Sequence, residues 1–86
     1  MKYQYQTQGT CSKLIEIETV IENGKEVIGD VRFTGGCNGN LQGIGALVKG
    51  LAPEEVIKRL DGLKCGAKAT SCPDQLAKAL REMTKP

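Results

Sequence analysis

Over residues 2–8 apolar and polar positions alternate, with Tyr3 and Tyr5 on one side and Lys2, Gln4 and Gln6 on the other, the period of a half-buried strand. The alternation resumes over residues 12–21, where Ile15, Ile17 and Ile21 stand opposite Glu16 and Glu18. Between this run and the next, Glu22-Asn23-Gly24-Lys25 signals a hairpin, because Asn-Gly tolerates the positive φ that a type I′ turn requires. After the turn Val27, Val31 and Phe33 point to the core, and Asp30 and Arg32 to water. Three strands of this kind predict an antiparallel sheet with one wet face.

The period then lengthens. Leu41, Ile44, Leu47 and Val48 share one face of a helix, with Asn40 as its N-cap and Gly50 closing it. Gly43 and Gly45 each weaken such a helix by up to about 1 kcal/mol relative to Ala, so their presence suggests close packing against the sheet or the site. Pro53 with Glu54 and Glu55 opens a second helix, with Val56, Ile57 and Leu60 inward and Gly62 at its end. Ser71-Cys72-Pro73-Asp74 fits a capping box for a third, carrying Leu76, Ala77, Leu80 and Met83. The order β-β-β-α-α-α, without repeat or linker, predicts one α+β domain over residues 1–86: two layers, a three-stranded antiparallel sheet with three helices on one face. Ile15, Ile17, Val31, Phe33, Ile44, Leu47, Leu60 and Leu80 are expected to be buried together, and Glu16, Glu18, Asp30 and Arg32 to stay wet.

Composition sharpens this picture. The 86 residues include no Trp and one Phe, so the core is small and an added constraint would help it. The net charge of +2 comes from interspersed signs, which argues against nucleic acid as a partner. No run approaches the roughly 20 apolar residues of a membrane span, and the N-terminus has no apolar signal segment, so a cytoplasmic location is expected. In a reducing compartment the four cysteines, Cys11, Cys37, Cys65 and Cys72, are more readily metal ligands or redox groups than structural disulfides. There is no histidine to serve as a general base or to activate a thiol, and no C-x-x-C pair. Glu16 with Glu18, and Glu54 with Glu55, read as strand-surface and helix-start residues, so no catalytic residue is assigned.

Three of the four thiols, Cys11, Cys37 and Cys72, sit at element boundaries. Thr34-Gly35-Gly36-Cys37-Asn38-Gly39-Asn40 places one between a strand and a helix, and Gly35, Gly36, Asn38 and Gly39 would support a loop that seats a ligand. A helix N-terminus favours thiolate, which suits Cys37 and Cys72 to soft or borderline metals. Four thiolates gathered by the fold would make a closed zinc site. Other readings are small buried hydrophobes, a Cys65–Cys72 disulfide, and an anion or nucleotide nest in the glycine run, the last lacking the Lys-Ser/Thr pair of a phosphate loop.

Gly9-Thr10-Cys11-Ser12, Phe33-Thr34-Gly35-Gly36-Cys37-Asn38-Gly39-Asn40, Gly62-Leu63-Lys64-Cys65 and Thr70-Ser71-Cys72-Pro73-Asp74 together resemble the small four-cysteine proteins of the TSCPD family. A domain of this type also forms the C-terminal end of many ribonucleotide reductases, notably the adenosylcobalamin-dependent class. The resemblance implies a link to ribonucleoside-diphosphate reductase and deoxyribonucleotide synthesis, with such a reductase or another redox enzyme as partner. A chain of this size has no room for the radical cofactor site and nucleotide pocket of the reductase itself. A second similarity is to U-type iron-sulfur cluster scaffolds, which implies an iron-sulfur cluster as the alternative cargo. This chain departs from the scaffold pattern in having Ser12-Lys13 after its first cysteine, Ser71 in place of a histidine, and Cys65 as an additional thiol.

Overall fold

The computed structural model describes residues 1–10, 12–35, 38–64 and 66–84, the side chains of Ser12 and Asn38 excepted. Three strands, β1 (Lys2–Gln6), β2 (Ser12–Glu22) and β3 (Lys25–Gly35), precede three helices, α1 (Asn38–Val48), α2 (Pro53–Leu60) and α3 (Cys72–Met83). The sheet is antiparallel in the order β1-β2-β3. Asn23 and Gly24 both take positive φ, +52° and +79°, as the Asn-Gly turn requires. The β-β-β-α-α-α, α+β expectation is met.

Register puts Tyr3 opposite Ile17 and Tyr5 opposite Ile15, then Ile17 opposite Val31 and Ile15 opposite Phe33, so these residues share the core face. The alternate residues make the outer face. There Glu18 and Asp30 face each other, a like-charge pair relieved by Lys2 at 3.9 Å from Glu18 and Arg32 at 3.1 Å from Asp30. Glu16 and Arg32 are exposed, whereas Glu18 and Asp30 are half-buried.

A β-bulge changes the phase of β3. Glu18 pairs with Asp30 and Thr19 with Ile28, which leaves Gly29 as the extra residue. Ile28 therefore takes the core position expected for Val27, and is 1% exposed. Its backbone joins the α1–α2 connection, donating to Leu51 O at 2.8 Å and accepting from Gly50 N at 2.9 Å. Ile21, expected inside, stands at the hairpin end of β2, two residues before Asn23, and is 70% exposed.

α1 packs on β3 through Leu41, Gly45 and Val48, with Ile44 half-buried beside them. Leu47 is 79% exposed, contrary to expectation. It lies roughly 120° around the helix from Leu41, and Gly45 faces the sheet in its stead. Asn40, expected as the N-cap, is the third residue of the helix rather than its cap. α3 is the central helix: Leu76, Ala77, Ala79 and Leu80 are all 0% exposed, between α2 and the strands. Phe33 and Leu60, expected inside, pack half-buried against this core.

Candidate metal centre

Of the expected ligands Cys72 alone lies among the described residues; Cys11, Cys37 and Cys65 lie outside them, as does Gly36 of the expected loop support. Cys72 is the first residue of α3 and is 8% exposed. Among the described residues no group of three or more potential metal-ligating side chains gathers. Asn38 and Gly39 were expected in a loop and instead form the first turn of α1; Gly35 ends β3 at φ +80°.

The described flanks of the four cysteines are tied to one another. Ser12, which follows Cys11, pairs with Gly35, two residues before Cys37. On the other side of Cys11, the Gln8 amide donates to Gln75 Oε1 at 3.1 Å, and a Cβ on Gly9 would stand 3.1 Å from Thr70 Cγ2. Thr7 N also donates to Lys13 O at 3.2 Å, closing the 7–13 connection. Ahead of Cys65, Leu63 O accepts from Ser71 Oγ at 2.7 Å and Gly62 N donates to Asp74 Oδ1 at 2.7 Å. Apart from the β2–β3 pair and the Thr7–Lys13 bond, each of these ties ends in residues 70–75.

The residues that make the ties follow from local chemistry. Ser71 has extended backbone and caps α3, its Oγ accepting from Asp74 N at 3.1 Å. Pro73 suits the first turn because its missing N–H has no intrahelical partner there. Asp74, however, does not return to the cap amide as a capping box would have it. The residue is 1% exposed, and its carboxylate accepts from Gly62 N, from Lys78 Nζ at 2.6 Å and from the Thr70 hydroxyl. Burial would raise its pKa, but the hydrogen bonds from Lys78, Thr70 and Gly62 prevail and hold it at about 2, below the ordinary 3.8. Thr70 Oγ1 in turn accepts from Gln75 Nε2 at 3.0 Å. On β1, burial and then the Glu82 carboxylate raise the Tyr5 phenol, with Lys78 acting the other way.

The family model for the TSCPD domain matches residues 1–84. The chain belongs to the TSCPD domain family. In this TSCPD protein each residue of the pentapeptide has a place: Thr70 holds Asp74, Ser71 caps the helix, Cys72 and Pro73 begin it, and Asp74 receives three donors from different segments. No curated protein and no solved structure matches the chain.

Sequence reasoning missed Gln8, Thr70, Gln75 and Lys78 as members of this cluster. Only the Asp74–Lys78 pair carried a local signal, an i,i+4 spacing of opposite charges on a helix. Among the described residues, no helix is long and apolar enough to cross a membrane.

Proposed function

We propose that this TSCPD protein is a metal-binding accessory module in which Cys11, Cys37, Cys65 and Cys72 hold one zinc ion as thiolates. The observation that carries the reading is that described residues within three positions of each of the four cysteines are joined, Ser12 to Gly35, Gln8 to Gln75 and Leu63 to Ser71. Four thiolates and no histidine make the donor set of a closed, structural site, which suits zinc better than a site that passes a cluster on. An iron-sulfur cluster is the alternative cargo. The family resemblance makes a ribonucleotide reductase or another redox enzyme the proposed partner, which the module would assist or regulate.

A second reading is favoured by the Ser71–Leu63 hydrogen bond, which ties the segments leading into Cys72 and Cys65. In it these two thiols reduce a disulfide of a partner enzyme and become a disulfide themselves.

Elemental analysis of anaerobically purified protein, with melting measured in the presence and absence of chelator, tests the choice. The metal reading predicts one metal per chain, a melting temperature that falls with chelator, and loss of both metal and stability in Cys37→Ser as in Cys72→Ser, since binding free energy is also folding free energy. Redox exchange predicts that chelator changes nothing and that only Cys65→Ser and Cys72→Ser abolish reversible oxidation.

A further inference from the structure

The first turn of α3 carries a buried polar network that a thiolate shell does not itself require. Asp74 receives an amide from Gly62, an ammonium from Lys78 and a hydroxyl from Thr70; the same hydroxyl oxygen accepts from Gln75, whose carbonyl accepts the amide of Gln8. Ser71 caps the helix while donating to Leu63 O. Among the described residues every buried side-chain polar atom has a partner. Three donors on one buried carboxylate come from three places in the chain, so removing one leaves an under-satisfied charge that destabilises the others.

We propose that this network is a clasp, in which Asp74 and Thr70 hold the described segments leading into Cys11 and Cys65 against the helix that begins with Cys72, so that these flanks are in place before metal binds. The inference rests on the metal-binding reading and adds how the site is formed and loaded. Many small metal domains are unfolded without their metal. Here α3 is anchored independently, because Leu76 and Leu80 at 0% exposure are held by α2 and the sheet. With the helix fixed, the clasp carries that order to Gln8, Gly62 and Leu63. Flanks ordered in advance lose less conformational entropy on binding, and capture is faster because no ordering of these flanks has to accompany it.

The test uses reduced, metal-free protein and cobalt(II) as the probe, followed by the thiolate-to-cobalt absorption band. Thr70→Val keeps the side-chain shape and loses the hydroxyl, and Asp74→Asn loses the charge. Both should slow cobalt capture by about tenfold or more while leaving the final spectrum unchanged. Thr70→Ser should restore the wild-type rate. Ile28→Val, which loosens the core away from the clasp, should leave capture as it is. Before cobalt is added, the Gly62 and Gln8 amides should exchange slowly with solvent in the wild type and rapidly in Thr70→Val. Equal capture rates in wild type and Thr70→Val, or a Gly62 amide protected only after cobalt binds, would overturn the clasp. Absence of a cobalt-thiolate band in the wild type would overturn the metal reading, and Gly62 exchange would still decide whether the clasp holds the flanks. Should Thr70→Val fail to fold, the wild-type exchange rates decide alone.

Discussion

Asp74 keeps its charge although it is 1% exposed, because Gly62, Thr70 and Lys78 all donate to it. Its folded pKa of about 2 lies below the ordinary 3.8, so the unfolded chain binds the proton more readily. The carboxylate thus contributes stability that is full above about pH 5 and lost as pH falls toward 2, on the order of 2 kcal/mol in all. Urea unfolding midpoints should drop across that window in the wild type and much less in Asp74→Asn; parallel curves would refute the assignment. Ser71 as the helix cap was legible in the sequence, since Ser-x-x-Asp before an apolar run has a local cause. The destination of the Asp74 carboxylate was not, because Gly62 is twelve residues away and only the packing of α2 on α3 brings its amide within reach.

At the scale of elements, α1 is positioned by a glycine. A Cβ on Gly45 would stand 2.9 Å from the carbonyl oxygen of Val31, a backbone atom in the strand, whereas one on Gly43 would meet nothing within 4 Å. Gly45→Ala should therefore cost about 1–3 kcal/mol through overpacking. Gly43→Ala should stabilise by up to about 1 kcal/mol through helix propensity alone. Equal effects in thermal melts would mean that α1 does not sit against β3 as described. The same reasoning separates two leucines: Leu80→Ala should cost about 2–5 kcal/mol as a core cavity, and Leu47→Ala on the exposed face close to nothing. Strand order, hairpin and the starts of α2 and α3 were readable from alternation, Asn-Gly and Pro53 or Ser71. The phase of β3 before Gly29 was not, because a bulge at Gly29 leaves the alternating pattern intact while moving Ile28 to the core; Leu47 was misplaced because its spacing from Ile44 fits a helical face that Gly45 in fact occupies.

Across the whole molecule, one helix links the core to the candidate metal centre. The apolar residues of α3 complete the core, and its first turn receives the ties from the segments before Cys11 and Cys65. The β2–β3 pair joins the flanks of Cys11 and Cys37 from the sheet side. The sequence showed three of four thiols at element boundaries and a family to match, yet no spacing in it brings their flanks together, because the joining contacts span as many as 67 residues. The central claim is that four cysteine thiolates hold one metal. X-ray absorption at the metal edge of anaerobically purified protein tests it most directly: the claim predicts a single shell of four sulfurs at about 2.3 Å, and a shell of nitrogen or oxygen near 2.0–2.2 Å, or protein without metal, would contradict it.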